Sequence, residues 1–206
     1  MNLARWPETL VLCAAAACAQ GTPKEADWPA AGVLLAPATR PGDFLDRQRI
    51  VANYKGRAAA FDAVLQKKGN ELTLVGLTPF GSRAFVIRQV GTVLAFESFV
   101  PQTLPFPPSY IVVDVERVFF PWTDAPPPTD GERRFSRDAE AVAERWEGGK
   151  LRRRTFAFAE GHPPGEIVID YDGGMETGGA PPPHVSFDNG QYGYHLDITT
   201  LTHQPL

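Results

Sequence analysis

The sequence predicts a mainly β (α+β) domain, in which one curled antiparallel sheet of about ten strands forms a half-open β-barrel with a short helix lidding its concave face. Apolar residues alternate with polar ones through most of the chain, and Gly-bearing turns separate the alternating stretches. The 20 Pro and 19 Gly among 206 residues disfavour a bundle of long helices. One segment replaces the alternation by a helical repeat. These features together indicate a single sheet with one helical cover.

Five consecutive strands are predicted between about residues 47 and 99. Each has apolar side chains at every second position, which is the pattern of a strand with one buried face. The turns Lys68-Gly69-Asn70 and Val90-Gly91 separate neighbouring strands. The alternating positions are Ile50, Ala52, Tyr54, Phe61, Ala63, Leu65, Leu72, Leu74, Gly76, Phe85, Ile87, Leu94 and Phe96.

The helix is predicted in the segment that ends before Pro121. Ile111, Val115, Val118 and Phe119 recur at i, i+4, i+7 and i+8, which places them on one face of a helix. The Pro-rich stretches on either side, PQTLPFPPS and TDAPPPTDG, are predicted loops because proline is not accommodated inside a sheet.

Five further strands are predicted after the helix. The sequence DGGMETGGAPPP, between the third and fourth of them, is predicted to be a long flexible loop. In the last strand, Tyr192, Tyr194, Leu196 and Ile198 are expected to share one face. The five strands are Ala139–Trp146, Lys150–Phe158, Glu166–Tyr171, His184–Asp188 and Tyr192–Leu201.

The apolar face of this sheet is larger than one short helix can cover, which predicts a hydrophobic cavity. The alternative is a core filled by the protein's own side chains. The residues predicted to line the cavity are Leu72, Leu74, Phe85, Ile87, Leu94, Phe96, Ile111, Val115, Phe119, Tyr192, Tyr194, Leu196 and Ile198.

The first residues have the layout of a secretory signal peptide, with Arg5 followed by a short apolar run and then small residues. Ala15-Ala16-Ala17 before Cys18 resembles a bacterial lipobox, in which Cys18 would be acylated and become the new N-terminus. The alternative is cleavage before Gln20 at the A-x-A-like site Ala17-Cys18-Ala19. The predicted organisation is therefore a signal peptide over residues 1–17, a lipidated Cys and flexible tether over 18–32, and one domain over 33–206.

A lipidated Cys18 would place the protein on a bacterial membrane that faces the periplasm. An Asp directly after the lipidated Cys retains a lipoprotein in the inner membrane, so Ala19 implies the periplasmic face of the outer membrane. An ordinary secreted protein and a cytoplasmic protein are the alternatives. The mature domain would hold no other thiol, because Cys13 lies within the leader.

No motif of a known catalytic or cofactor site is present. Ser82 lacks the second glycine of a hydrolase elbow, and no phosphate-binding loop occurs. The four His do not form a metal-binding pair, so neither a metal nor a cofactor is predicted. The net charge of -4 argues against a nucleic-acid partner. The protein is predicted not to be an enzyme; an unrecognised hydrolase, with His184 near Asp170, is the remaining possibility.

A run of basic residues, Lys150, Arg152, Arg153 and Arg154, is the densest charge cluster of the chain. It could contact phospholipid head groups. The alternative is a solvated strand whose charges are balanced by Glu140, Glu144 and Glu147 of the preceding strand, because opposite charges commonly pair across strands.

Three segments together resemble a known family: Leu72–Ile87, the helical segment Ile111–Trp122 and the closing strand Asn189–Leu201. Their order is similar to that in an uncharacterised family of bacterial lipoproteins, a numbered domain of unknown function. That family resembles the LolA/LolB superfamily of lipoprotein carriers and receptors. The resemblance spans roughly residues 33–203, and the signal peptide with Cys18 fits it.

The resemblance implies a LolB-like half-barrel with helices over its concave face and an apolar cavity that accepts acyl chains. In the receptor branch, a loop with a Pro-Leu-Gly turn projects an exposed apolar residue that handles lipoproteins at the membrane. Thr78-Pro79-Phe80-Gly81 matches that turn, so Pro79 and Phe80 are its counterparts here. The alternative is that Phe80 folds back over the sheet edge. The helical portion is shorter than in the well-studied carriers, and the Pro-rich inserts at 125–128 and 181–183 depart from their pattern.

The function predicted from these features is that of an outer-membrane lipoprotein, a monomer, that binds acyl chains or an acylated partner without catalysis. Its partners would be acyl chains or lipoproteins and, through the lipid anchor, the membrane. The alternative is a membrane-tethered interaction scaffold with a filled core. The ligand and the pathway do not follow from the sequence.

Overall fold

One antiparallel sheet of eleven strands dominates the computed structural model, which describes residues 32–101, 104, 106–138, 140–158 and 163–206. A 3-10 helix, Pro37–Thr39, precedes the first strand. The other elements, in chain order, are β1 (Phe44–Tyr54), β2 (Arg57–Lys68), β3 (Glu71–Leu77), β4 (Arg83–Val90), β5 (Val93–Ser98), α1 (Pro108–Phe119), β6 (Gly131–Arg137), β7 (Glu140–Glu147), β8 (Lys150–Phe158), β9 (Glu166–Met175), β10 (His184–Asn189) and β11 (Tyr194–Pro205).

The strand order explains why one helix covers the concave face. The order across the sheet is β5-β4-β3-β2-β1-β11-β10-β9-β8-β7-β6, and the first strand pairs with the last at its centre. β5 and β6 are therefore the two edges, although they follow one another along the chain. The connection between them has to run from edge to edge, and α1 is the part of that connection that lies inside the curled sheet.

The alternation of side chains decides which face of the sheet is buried. On β1 and β2, Ile50 faces Phe61 across the pair, and on β3 and β4, Leu74 faces Ile87. These residues point to the concave side together with the buried apolar residues of β7–β11. The charged residues between them face solvent and pair across strands, as Arg47 and Arg49 do with Asp62.

Prolines lie at both ends of α1. The helix ends at Phe119, and Pro121 restricts the backbone of the next residue, Phe120. Pro107 is its N-cap and Pro108 lies in its first turn, where a missing N–H costs no hydrogen bond. Val112, Val113 and Val118 are β-branched and therefore poor helix formers, but they are almost completely buried. Tertiary packing therefore stabilises this helix rather than intrinsic propensity.

The predicted fold class is confirmed: the described chain forms a curled, unclosed antiparallel sheet with one short helix. The five strands of the first half and the helix are found where the alternation and the helical repeat placed them. The three differences lie in the second half. β6 was not predicted, because its sequence GERRFSR is mostly charged; it is an edge strand with only one neighbour, so charged residues are tolerated.

Two further boundaries differ from the prediction. The segment Asp172–Met175 belongs to β9 rather than to a flexible loop, and Met175 pairs with Leu151 on β8. Tyr192 lies in the turn before β11, which begins at Tyr194. The turn is fixed by the side chain of Asn189, whose Oδ1 accepts hydrogen bonds from the backbone N–H groups of Gln191 and Tyr192.

The predicted signal peptide, Cys18 and the tether up to residue 31 lie outside the described residues. Gly32, at the start of the described chain, lies against the side chains of Val113 and Arg117 on α1. Within the described part of the chain, no helix is long and apolar enough to cross a membrane.

Gly76 on β3 leaves room for the ring of Phe85, its cross-strand partner on β4. A Cβ at this position would lie 2.2 Å from Cε1 of Phe85. We expect Gly76→Ala to displace the ring and to lower the free energy of unfolding by about 1–3 kcal/mol, measured by urea denaturation. Combining it with Phe85→Leu should recover part of the loss, because the two residues are in contact. Strictly additive losses would contradict this packing.

Candidate functional site

An apolar cavity of about 720 Å³ lies between α1 and the first half of the sheet. Its walls come from the concave face of β1–β4, from β10 and β11, and from one side of α1. The other side of α1 packs against β7–β9, where the Tyr171 hydroxyl donates to the carbonyl of Val118. The helix therefore fills one half of the half-barrel and leaves the other half open.

The cavity has an open and a closed end, which follow from the residues along β1. Tyr54, Ala52, Ile50 and Gln48 line it in that order, whereas Asp46, the next inward residue, does not. At the Tyr54 end the lining includes exposed residues of the β1–β2 and β3–β4 turn regions, so this end is the mouth. At the Gln48 end the cavity stops against buried core.

Eight of the thirteen residues predicted to line the cavity do so. Leu72 and Ile87 are instead buried in the core beyond the closed end, and Leu94 and Phe96 on the edge strand β5 are partly buried against the core. Tyr192 lies beside α1, with its hydroxyl 3.1 Å from that of Tyr110. The eight lining residues are Leu74, Phe85, Ile111, Val115, Phe119, Tyr194, Leu196 and Ile198.

The sequence reasoning missed the alanines and aromatic residues that shape the mouth. Small side chains at Ala52, Ala59 and Ala60 widen the mouth, and Phe106 and Tyr110 form its wall on the side of α1. The Phe106 ring packs edge-on against Tyr54 and at a tilt against Tyr194, with ring centroids 5.1 and 4.8 Å apart. Ala52 and Ala59, which face each other across β1 and β2, were the available signal, because inward alanines leave space that larger residues would fill.

The turn between β3 and β4 holds Phe80 out in solvent at the mouth. The Thr78 N–H donates to the Ser82 carbonyl at 2.8 Å, and the Gly81 N–H donates to the Thr78 carbonyl at 2.9 Å. Gly81 has φ of +80°, which favours glycine. The Phe80 side chain is 96% exposed, so it is not folded back over the sheet edge, and Pro79 beside it lines the mouth.

Beyond the closed end, Glu116 joins three parts of the chain. Its Oε2 accepts a hydrogen bond from the Leu35 N–H and its Oε1 accepts one from Gln89 Nε2, both at 2.9 Å. Gln89 Nε2 also donates to the Leu35 carbonyl at 2.8 Å. Burial raises the pKa of Glu116 to about 7. This network ties the N-terminal segment and β4 to α1.

A second polar group fixes α1 to the centre and far side of the sheet. The Arg117 guanidinium bridges Asp114 at 2.9 Å and Glu140 on β7 at 2.6 Å. The Tyr194 hydroxyl donates to the other oxygen of Asp114. Burial raises the pKa of Asp114 and that of Tyr194 as well. Asp114 is the one charged residue among the described residues that line the cavity, and both its oxygens are engaged.

The structure separates the four members of the basic run. Arg154 is buried, pairs with Glu144 and donates to the carbonyl of Phe120 at 3.0 Å, so it has no access to a head group. Although burial opposes it, Arg154 and Arg133 hold the pKa of Glu144 below its usual range. The inclusion of Arg154 in a head-group surface is therefore corrected: its guanidinium anchors the C-terminal end of α1.

The other three basic residues face solvent beside acidic partners. Arg153 makes a two-point contact with Asp170 at 2.6 and 2.9 Å. Arg152 lies 3.3 Å from Glu147, and Lys150 lies 3.4 Å from Glu176. Glu140, also considered as a balancing charge, is paired with Arg117 instead.

The residues considered for hydrolysis do not come together. His184 Nε2 lies 3.2 Å from Asp197, whereas Asp170 is paired with Arg153. His162 lies outside the described residues. Among the residues that the structure describes, no group of three His, Cys, Asp or Glu is placed to hold a metal ion.

A family model described as "Protein of unknown function (DUF3261)" matches residues 46–202, so the protein belongs to this family. The chain is similar in structure to a LolA superfamily protein from Nitrosomonas europaea, at 13% identity over 82% of this chain and 89% of that chain, with a TM-score of 0.46. It is also similar to an outer membrane lipoprotein-sorting protein domain from Vibrio parahaemolyticus, at 8% identity over 80% and 85%, with a TM-score of 0.43. No curated protein matches the sequence.

Glu116 is expected to make the fold less stable as the pH rises. Its pKa in the folded chain is about 7, against an ordinary value of 4.5, so the folded state holds the extra proton between these values. Its contribution to the free energy of unfolding therefore falls from about pH 4.5 to about pH 7, by about 3 kcal/mol at most. Urea denaturation at several pH values should show this fall in the wild type and its loss in Glu116→Gln.

The matched control for this experiment is Glu147→Gln, because Glu147 is a half-exposed carboxyl on β7. We expect this variant to follow the wild-type pH dependence. An identical dependence in the wild type and in Glu116→Gln would contradict the role assigned to Glu116.

Proposed function

We propose that this protein binds an acyl chain in the cavity beneath α1 and shields it from water without chemical conversion. The cavity itself carries the proposal. Its volume of about 720 Å³ lies within the roughly 300–1,000 Å³ of small-molecule sites. Its walls are almost wholly aliphatic and aromatic, which suits hydrocarbon, and a filled-core scaffold would not need such a space.

The energetics support binding of one chain. Each methylene removed from water contributes about 0.8 kcal/mol. A chain with about ten methylenes inside would gain about 8 kcal/mol, which corresponds to a dissociation constant near the micromolar range before ordering costs. The curled sheet and the helix are already in place, so few residues have to be ordered on binding. Release to a bilayer is feasible, because a bilayer offers the chain the same apolar surroundings.

The turn between β3 and β4 supports exchange at a lipid surface. Phe80 and Pro79 lie at the mouth, and the tight turn holds the Phe80 ring in solvent. An apolar ring in this position would enter the interface of a membrane and bring the mouth against it. A chain could then pass between bilayer and cavity without crossing water. The occupant would be a free acyl chain, a lipid or an acylated protein.

We place the protein at the periplasmic face of the outer membrane, anchored through Cys18. This part of the proposal rests on the leader-like residues 1–17, on the lipobox before Cys18 and on Ala19. A tether over residues 18–32 would let the domain reach the membrane surface that the anchor occupies. Lipid head groups could contact Lys150, Arg152 and Arg153 only by displacing the acidic partners of these three side chains.

Ala52→Phe is expected to block the cavity. Ala52 lies on the cavity side of β1 between the mouth and the closed end, where a phenyl ring would occupy the space of the chain. We expect binding of cis-parinaric acid, followed by its fluorescence, to weaken by roughly tenfold or more. Ala141→Phe on the exposed side of β7 is the matched control and should bind as the wild type does. Equal binding by both variants would place the chain elsewhere.

Phe80→Glu is expected to impair exchange with membranes and to leave the fold intact. The ring is 96% exposed and contributes little packing, so the thermal midpoint should not change. Transfer of cis-parinaric acid from phosphatidylethanolamine–phosphatidylglycerol vesicles should slow, because a carboxylate resists entry into the interface. Phe80→Leu should transfer at the wild-type rate. A large fall in the midpoint of Phe80→Glu would mean that the ring supports the fold instead.

A further inference from the structure

Gln48 is the polar side chain that distinguishes the closed end of the cavity. It lies on β1 in phase with Ile50, Ala52 and Tyr54, so its side chain faces the concave side. It is 3% exposed and it lines the cavity. Its Nε2 has no hydrogen-bond partner among the residues that the structure describes. A buried donor without a partner costs about 1–3 kcal/mol, so its presence here calls for a physical reason.

Apart from Tyr54, which lies at the mouth, the other polar groups of the described lining are already engaged by the protein. Asp114 bonds to Arg117 and to Tyr194, and the Ser98 hydroxyl donates to the Val100 carbonyl at 2.9 Å. The Thr78 hydroxyl lies 2.8 Å from that of Ser82. Gln48 Nε2 is thus a buried donor with free capacity, carried by a side chain that lines the closed end of the cavity.

The chemistry of the lining limits what Gln48 can meet. An N–H donor requires an acceptor oxygen. No Lys, Arg or His occurs among the described residues that line the cavity, and the one charge is the carboxyl of Asp114. A carboxylate driven to the closed end would be desolvated without a counter-ion, which is far more costly than leaving Gln48 unpaired. The acceptor therefore belongs to a neutral group: a hydroxyl, a carbonyl or an ether oxygen.

The depth of the cavity places this group at the far end of a long chain. Gln48 lies six residues from Tyr54 along β1, about 20 Å at the rise of a strand. An extended chain covers that distance in about seventeen bonds, since three backbone bonds span about 3.5 Å. A chain whose charged head stays at the mouth would bring its far end to Gln48.

We propose that the closed end selects chains with a neutral oxygen near their far end, through a hydrogen bond from Gln48 Nε2. This inference rests on the proposed function, because it assumes that a chain enters the cavity. An unsubstituted chain would place a methyl group against the unpaired amide. An oxygen-bearing chain satisfies the amide and loses no hydrogen bond of its own.

The test compares palmitate with its ω-hydroxy derivative, both titrated against the full-length protein by displacement of cis-parinaric acid. In the wild type, the hydroxylated chain is expected to bind about 2- to 10-fold more tightly. In Gln48→Leu the order should reverse, with the hydroxylated chain roughly 10-fold weaker, because its hydroxyl is then buried unpaired. Ser98→Ala is the matched control, since it removes a hydroxyl at the cavity that is already bonded, and it should keep the wild-type preference.

The outcomes separate this inference from the proposed function. Binding of palmitate with no preference for the hydroxylated chain, or a preference that persists in Gln48→Leu, would overturn the role of Gln48 and leave acyl binding standing. Failure of both chains to bind the wild type would overturn the proposed function itself. Gln48→Leu should unfold at a temperature no lower than the wild type, because it removes a donor that has no described partner. A lower midpoint would show that the amide supports the fold, and would overturn the inference.

Discussion

The hydrogen bonds and the ion pair made by buried polar residues of α1 are the constraint on which the rest of the structure depends. The helix crosses the concave face of the sheet, so polar residues on it are taken out of water. Breaking the buried ion pair between Arg117 and Glu140 would cost about 3–5 kcal/mol. Asp114 is paired toward β11, Glu116 toward β4, and Arg117 toward β7. Three contacts to three different strands fix the helix in position and orientation.

The cavity follows from where these contacts hold the helix. On one side, Trp122 packs edge-on against Phe156 with centroids 4.9 Å apart, and Arg154 bonds to the carbonyls at the end of α1. On the other side, the inward residues of β1 and β2 include Ala52 and Ala63, which are too short to reach the helix. Closing the gap would require the helix to move and its polar contacts to break. The apolar space is thus maintained by polar contacts elsewhere.

The sequence was sufficient to predict the sheet and the helix, because the spacing at which apolar side chains return to one face depends only on the local backbone geometry. It was not sufficient for the edge strand β6, where solvent on one side removes the need for apolar residues. It also could not separate Leu74, which lines the cavity, from Leu72, which is buried core, since both lie on the same face of one strand. That difference depends on how far the helix reaches. Gln48 is polar but lies on the same face of β1 as the apolar residues Ile50 and Ala52. This departure from the alternation is visible in the sequence, but the alternation alone does not explain it.

Selectivity in such a cavity is expected to come from its few polar groups rather than from its apolar area. A bilayer offers a chain nearly the same apolar surroundings as the cavity does, so the methylenes contribute little to the difference between the two states. The hydrocarbon core of a bilayer has no donor to offer a neutral oxygen, and an unpaired polar group there is costly. On the proposed function, a single buried amide such as Gln48 would therefore shift an oxygen-bearing chain from membrane to protein while leaving a plain chain near balance. The scarcity of polar groups in the lining is what gives that one amide its influence.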